Sequence, residues 1–497
     1  MIAQPGFNIA LHYLQAVALS PASAAIVGSE TTISHGQLAE ASLAIALGLQ
    51  ARGMGPGSTL AIRTQDPAIA LATLLATALL GARWVFAHDN LVGSGRLDID
   101  LILDDGSLPG NAAISTVRLD ETWFAADSDK GRFQPPVFAG FRTSEDVWMI
   151  SQTSGTTGTP KLVGLPHRVL LARIEANAAR MDWRGLRMAS LFPITAPIWL
   201  TYAVTALLHG GSVLTETEPK DWPGMGAQFA LASPAQAQKL LAEVVLQPKL
   251  PLIQLSGGPA PEMLIKRLLQ SFEAVWVGYG STEGFNALSN VKSLAPNGQI
   301  LSRTVLAPGV RIEVVDDAGL VLPVGQEGQI RVTNPYLAPG YLNAPTATAA
   351  SFRDGWFHPG DLGKWDADGQ FHISGRTNEQ FNLGGQKLNA QLMDFMLMGL
   401  PGVRDAICFM LPKADGSEEL RAFLSLSPEA DWTDVQTEAR IALMKLGGLS
   451  AVPKRFLFAD SLPRNANGKA DRNACIQMVK DGRARKHDQT EGKTITG

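Results

Sequence analysis

The chemistry in this sequence concentrates in a few short polar loops. The run Thr153-Ser154-Gly155-Thr156-Thr157-Gly158-Thr159-Pro160-Lys161 joins hydroxyls, glycines and one lysine. Glycines permit a positive φ and a close approach of backbone to ligand. Successive N–H groups, hydroxyls and an ammonium together suit an anionic, oxygen-rich ligand such as a triphosphate. The run is not a Walker A loop: counted from Gly155, that pattern needs Gly at Pro160 and Ser or Thr at Leu162. Further along, Tyr279-Gly280-Ser281-Thr282-Glu283 closes an apolar run, residues 274–277. A tyrosine emerging there can stack on a nucleobase, a contact worth about 1–3 kcal/mol. Four residues later, Glu283 offers the hard oxygen ligand that Mg²⁺ prefers. Asp361, after the Trp356-Phe357-His358-Pro359-Gly360 run, reads as an exposed carboxylate able to accept from hydroxyls. Arg376 supplies a planar fork for oxygen acceptors. Lys469 lies in an Asn/Gly turn, where a positioned ammonium can stabilise charge building on a phosphate.

These loops need elements to hold them. Residues 37–51 read as a helix, 59–62 as a strand, then a helix closes near Gly81 and residues 84–86 form a strand. Such alternation predicts parallel α/β layers. Residues 146–150 read as a buried strand entering the Gly/Thr loop, with a helix from His167. From 311 onward the texture becomes β-rich. Residues 311–315 and 320–322 flank a turn, 329–333 form a strand, and 364–365 and 370–373 flank Ala367-Asp368-Gly369. After Asn378 the pattern resets to a helix after Asn389, strands at 406–411 and 420–426, a helix over 433–446 and a strand at 455–458. The expected fold is α/β with an appended β-rich region. A large N-terminal part, residues 1–377, precedes a small α+β lid domain, residues 378–480, with a hinge near Asn378 and a disordered tail, 481–497.

Composition narrows the class. A net charge of −4, from 42 basic and 46 acidic residues, argues against a polybasic nucleic-acid binder. Two cysteines exclude a disulfide framework and a Cys-rich metal site. Residues 1–10 lack the basic and apolar regions of a secretory signal. Residues 68–82 are too short for a membrane span, and 188–215 are interrupted by Pro193, Pro197 and Gly210-Gly211. The expectation is a cytoplasmic protein that neither spans a membrane nor binds nucleic acid.

Taken in order, the loops resemble the motifs of the class I adenylate-forming (AMP-binding) superfamily: acyl-CoA synthetases, adenylation domains of nonribosomal peptide synthetases, and luciferases. The 153–161 run resembles its phosphate loop, Gly257-Gly258-Pro259-Ala260 its adenine-side glycine loop, and Tyr279 to Glu283 its Y-G-x-T-E. Residues 355–361 resemble W-[YF]-x-T-G-D, 375–379 through Gly384-Gly385 its hinge segment, and 463–469 its P-[RK]-x-x-x-G-K. Motif order over residues 32–472 supplies the context that a lone match lacks.

The resemblance implies ATP-dependent activation of a carboxylic acid as an acyl-adenylate, then transfer to a pantetheine thiol. ATP, Mg²⁺ and CoA, or the phosphopantetheine arm of an acyl or peptidyl carrier protein, are the implied cofactors and partners. It implies nucleotide contacts from Thr153, Ser154, Gly155, Thr156, Thr157, Gly158, Lys161, Gly257, Gly258, Pro259, Tyr279, Gly280, Ser281, Asp361 and Arg376. Glu283 is the implied metal ligand, and Thr282, Glu283 and Lys469 the catalytic residues. Asn378, Gly384 and Gly385 are the implied hinge and thiol path. Departures are Leu162 for Gly, Pro359 for Thr, and Asn378 where relatives carry Asp or Lys. Acid selectivity in such proteins involves the segment after Leu191, here Phe192, Thr195, Ile198 and Trp199, together with Phe285. That segment carries no charge and lacks the Asp of amino-acid activators, so an uncharged apolar or aryl acid is expected, with Arg303 a possible contact to a second carboxylate. Loading of a carrier protein or an amine acceptor, and a nucleotide sensor without turnover, are the alternatives.

Overall fold

A buried strand, Thr59–Arg63, anchors the first sheet of the computed structural model. The structure describes residues 8–107, 116–120, 123, 138, 140–153, 160–241, 244–377, 379–383, 386–413, 415–464 and 470–483. By internal contacts the chain divides into two units. One is Met1–Gly257 with Gln270–Ile312 and Arg331–Pro359; the other is Gly258–Leu269, Glu313–Ile330 and Gly360–Gly497.

The first unit contains two large sheets. One runs in the order Thr116–Arg118, Leu101–Asp104, Thr59–Arg63, Arg83–Phe86, Val147–Gln152 and Leu162–Pro166. All its neighbours are parallel except the last pair. Burial on both faces is what a parallel sheet covered by helices requires. The covering helices carry their own boundaries. His35–Gln50 starts on a reciprocal cap between Ser34 and Gln37. Pro67–Leu80 starts on Asp66, whose carboxylate accepts from Ala68 and Ile69 N–H. It stops at Gly81, with φ +71°, where a Cβ would lie 1.9 Å from the Gly140 carbonyl oxygen. Only glycine fits there. The apolar stretches at 68–82 and 188–215 become buried helices, Pro67–Leu80 and Pro197–Leu208, with the strands Arg187–Ser190 and Ser212–Leu214 around the second. Among the described residues no helix is long and apolar enough to cross a membrane.

The second sheet carries strands Leu250–Ser256, Phe272–Ser281 and Phe285–Leu294 side by side, the first pair parallel and the second antiparallel. It continues through Phe229–Ala232, Arg187–Ser190, Ser212–Leu214 and Ala24–Val27.

One local expectation is corrected here, and one element is added. The strand expected at 146–150 and the helix expected from His167 are both present, as Val147–Gln152 and His167–Ala178, and a further strand lies between them. This strand, Leu162–Pro166, is antiparallel to Val147–Gln152, and the Thr153 N–H donates to the Lys161 carbonyl at 2.9 Å. Thr153 and Lys161 thus pair at the end of an antiparallel hairpin. Residues 320–322 form no strand: only a single bridge, Val315 to Val321, lies beyond the turn at Asp316.

In the second unit, Asp361–Trp365 and Phe371–Arg376 form the expected hairpin, with the Asp366 carboxylate accepting from Asp368 and Gln370 N–H. Strands Val403–Pro412, Glu418–Leu426 and Arg455–Phe458 make a small sheet, the first pair antiparallel and the second parallel. Helices Ala390–Met398, Trp432–Gly447 and Arg472–Lys480 accompany it. Phe409 stacks on Phe423 at 5.4 Å in its core. The tail expected over 481–497 lies outside the described residues beyond Arg483.

Candidate active site

The first unit brings together Lys161, Glu283 and a residue that the sequence did not mark, Tyr341. The strand Phe272–Ser281 runs through Tyr279 and Gly280, so Tyr279 sits within the strand, opposite Leu288, rather than at its end. The chain then reverses through Thr282 and Glu283. Gly280 is required by this turn, since a Cβ would lie 2.1 Å from the Phe285 carbonyl oxygen and 2.8 Å from Asn286 Cα. Ser281 Oγ accepts from the Gly284 N–H at 3.0 Å, and Phe285 takes a left-handed φ of +62°. For a bulky residue that conformation is strained, and the surrounding structure must hold it. Phe285 is packed edge-on to Tyr336 at 5.5 Å.

Glu283 ends up buried, and its Oε1 accepts from the Tyr341 hydroxyl at 2.9 Å. Lys161 Nζ sits 4.5 Å from the centre of the same tyrosine ring. One aromatic side chain thus touches the end of the Gly/Thr loop through its face and the Glu283 carboxylate through its hydroxyl. Arg173 supports the turn from behind. Its guanidinium donates to the Tyr336 carbonyl at 2.8 Å and to the Glu283 carbonyl at 3.2 Å. Burial pushes Arg173 down to about 9, against the opposing pull of the Glu283 charge. No side-chain ion pair engages Glu283 among the described residues, so its carboxylate keeps an oxygen for a hard cation. A single carboxylate suffices for Mg²⁺ when substrate phosphates and waters complete its shell. Among the described residues no group of three or more His, Cys, Asp or Glu side chains gathers to hold a metal unaided.

In the second unit, Asp361 and Arg376 face each other across the hairpin, with Arg376 Nε 3.3 Å from Asp361 Oδ1. Asp361 is buried, at 8% exposure, which corrects the expectation of an exposed carboxylate. Gly258 lies where a Cβ would meet Gln391 Nε2 at 3.2 Å, while Gly257, with φ +94°, ends the strand Leu250–Ser256 in the first unit. Pro259 is half-buried. Ser154, Gly155, Thr156, Thr157, Gly158, Asn378, Gly384, Gly385 and Lys469 lie outside the described residues.

The segment expected to face the acid leads into the helix Pro197–Leu208. Phe192, Thr195 and Ile198 are half-buried, whereas Trp199 is 3% exposed within the main apolar cluster. Arg303 is exposed on the edge strand Ile300–Leu306. The uncharged reading of this region misses Arg180, just past the helix His167–Ala178. Its guanidinium lies 4.4 Å from the Trp276 ring centre and donates to Ser289 Oγ at 2.7 Å and to the Tyr202 hydroxyl at 3.3 Å.

Comparison with known proteins places these features in context. The model of a family described as AMP-binding enzyme matches residues 14–342. A feruloyl-CoA synthase from Amycolatopsis is 27% identical over 480 residues, covering 91% of this chain and 95% of that protein. A 3-hydroxybenzoate–CoA ligase from Aromatoleum is 26% identical, covering 68% of each. Among solved structures, o-succinylbenzoate CoA synthetase from Bacillus subtilis in complex with AMP aligns with a TM-score of 0.79 at 23% identity, over 95% of this chain and 98% of that one. At that identity the likeness is one of fold.

Proposed function

The chain belongs to the AMP-binding enzyme family, and from that membership we propose that it is an AMP-forming ligase joining a carboxylic acid of apolar or aryl body to a pantetheine thiol. The observation that carries the reading is the contact chain Lys161, Tyr341, Glu283, which ties the end of the Gly/Thr loop to a buried carboxylate beside the Tyr279 strand. The first step forms a bond between a carboxylate oxygen and the α-phosphorus of ATP and breaks the bond to the β-phosphate, releasing pyrophosphate. In the second the thiol sulfur attacks the acyl carbon, the thiol proton leaves to solvent, and AMP departs.

In this reading Thr153, Lys161 and the glycines between them cradle the phosphates. Tyr279 meets the base and Asp361 with Arg376 the ribose. Glu283 would hold Mg²⁺, which supplies Lewis-acid stabilisation of phosphate charge. Thr282 lies beside Glu283 in the same turn. Residues 378–480 form the lid that brings Lys469 to the first step, with Asn378 as hinge and Gly384-Gly385 along the thiol path. Both CoA and a carrier-protein arm are acceptors to be tried, and a cytoplasmic location fits either.

The test is product analysis with a panel of acids. AMP and pyrophosphate should appear in step with thioester, and ADP in step with product would sink the mechanism. Lys469→Ala should slow ATP–pyrophosphate exchange by about 10²–10³-fold, the loss of roughly 2–4 kcal/mol of transition-state stabilisation. Thioester formation from synthetic acyl-adenylate should be spared. Equal losses in both halves would remove the lysine from the adenylation step.

A further inference from the structure

Three segments that the sequence assigns to acid and nucleotide meet at one guanidinium. Tyr202 stands one turn beyond Ile198 and Trp199 on the helix Pro197–Leu208. Gln254 and Ser256 lie on the strand that leads into Gly257. Asn286 and Ser289 follow Phe285, and Ser289 faces Gly278, the residue before Tyr279, across the sheet. Arg180 reaches all three. It donates to Tyr202 Oη at 3.3 Å, Gln254 Oε1 at 3.5 Å and Ser289 Oγ at 2.7 Å. The Asn286 amide, oriented with its oxygen toward Arg180, accepts at 2.5 Å. Tyr202 in turn donates to Gln254 Oε1 at 2.7 Å, and Gln254 Nε2 to Ser256 Oγ at 3.2 Å.

Every partner in this cluster is neutral. No carboxylate pairs with Arg180 among the described residues, and its Nε–H has no acceptor there. Gln254 and Ser289 are at most 1% exposed. A half-buried guanidinium without counter-charge has paid part of its desolvation and gained neutral hydrogen bonds and the face of the Trp276 ring, but no opposite charge. An incoming carboxylate would receive charge-assisted, fork-like bonds, roughly twice as strong as neutral ones.

We propose that Arg180 and its neutral cluster form the recognition site for a second carboxylate, at the far end of the acid from the one that is activated. This rests on the ligase reading and names its substrate class: a dicarboxylic acid with an apolar or aryl body. The spacing sets its length. Ser289, which Arg180 contacts, stands opposite Gly278, three residues before Ser281, so this contact lies about 10 Å along the strand from the start of the Glu283 turn at ~3.3 Å per residue. One aromatic ring with a short linker spans that distance.

The experiment uses matched acids differing in the far group: cinnamate with 4-carboxycinnamate, and octanoate with octanedioate. ATP–pyrophosphate exchange gives kcat/KM for each, and calorimetry gives direct binding of each acid to the enzyme. The wild-type protein should prefer the diacid at least 10-fold in one pair. Arg180→Met should erase that ratio through KM for the acid with KM for ATP unmoved, and Arg180→Lys should restore part of it. Thermal melting of each variant separates misfolding from lost recognition. A wild-type preference for the monoacid in both pairs, or an unchanged ratio in Arg180→Met, overturns the assignment and leaves the ligase reading standing. Diacid binding that depends on Arg180 without any exchange removes the ligase reading and keeps the site; neither binding nor exchange removes both.

Discussion

Replacing Tyr341 by Phe deletes one oxygen and keeps the ring. The Lys161 contact, 4.5 Å from the ring centre, is therefore preserved while the 2.9 Å hydrogen bond to Glu283 Oε1 is lost. Because the acceptor is a buried carboxylate, its unsatisfied oxygen costs more than an exposed one would. Hydrogen bonds to charged groups contribute about 1.5–3 kcal/mol, which at ~1.4 kcal/mol per decade corresponds to roughly 10- to 150-fold. If Glu283 holds Mg²⁺, the loss should fall on metal use, since partners that orient a ligand typically set 10–100-fold in affinity. The assay is ATP–pyrophosphate exchange against free Mg²⁺, paired with Mn²⁺ binding to the enzyme–ATP complex by electron paramagnetic resonance. The expected result is a metal half-saturation raised at least 10-fold with the saturating rate largely recovered. Tyr341→Leu, which also removes the ring beneath Lys161, should in addition raise KM for ATP. A variant with wild-type Mg²⁺ dependence and a lowered melting temperature would show that the hydroxyl merely packs the turn. Wild-type behaviour in both would show that Tyr341 has no part in metal or ATP use.

Two other outcomes follow from geometry already described. Gly280→Ala places a Cβ 2.1 Å from the Phe285 carbonyl, against backbone that cannot swing aside; it should cost about 1–3 kcal/mol of stability and abolish exchange, and an unchanged melting temperature with full activity would refute the tight-turn account. His167 is buried and pushed down to about 4, from an ordinary 6.5, by desolvation. Because the folded state resists protonation, its contribution is present above pH 6.5 and is lost as pH falls toward 4, a total of about 3 kcal/mol. Urea midpoints at pH 7 and pH 5 should diverge for the wild type and converge for His167→Gln, and equal acid sensitivity in the two would exclude His167 as the source.

How much of this was readable in the sequence depended on range. Helices His35–Gln50 and Pro67–Leu80 were legible because their stop and start signals are local: Ser34 with Gln37, Asp66 with Pro67, and Gly81. The hairpin at Asp366 was legible for the same reason. Leu162–Pro166 was not, because the short run Leu-Val-Gly-Leu-Pro carries no periodicity, and only pairing with Val147–Gln152 makes it a strand. Glu283 was marked by its motif, but its partner Tyr341 stands 58 residues away in an irregular Pro/Gly stretch. Arg180 escaped for a similar reason. An arginine after a helix looks solvated, and its acceptors Tyr202, Gln254 and Ser289 are 22, 74 and 109 residues distant. Asp361 was found by type and misjudged in exposure, since burial is a property of the packed chain.

The small sheet of the second unit has a consequence for how its chemistry could be altered. Arg464 pairs with Ala470 in a single antiparallel bridge, and the Asp471 N–H donates to the Pro463 carbonyl at 3.0 Å. At that bridge Arg464 is ion-paired to Asp405, and just beyond it Arg472 is ion-paired to Asp394, a carboxylate that burial pushes up to about 7 against the pull of Arg472. Both ends of residues 465–469 are therefore anchored to the same framework, strand Val403–Pro412 and helix Ala390–Met398. Chain closure is already accomplished by the stems, and each doubling of loop length adds only about 0.6 kcal/mol. A change in either ion pair would therefore loosen the stem that carries this stretch.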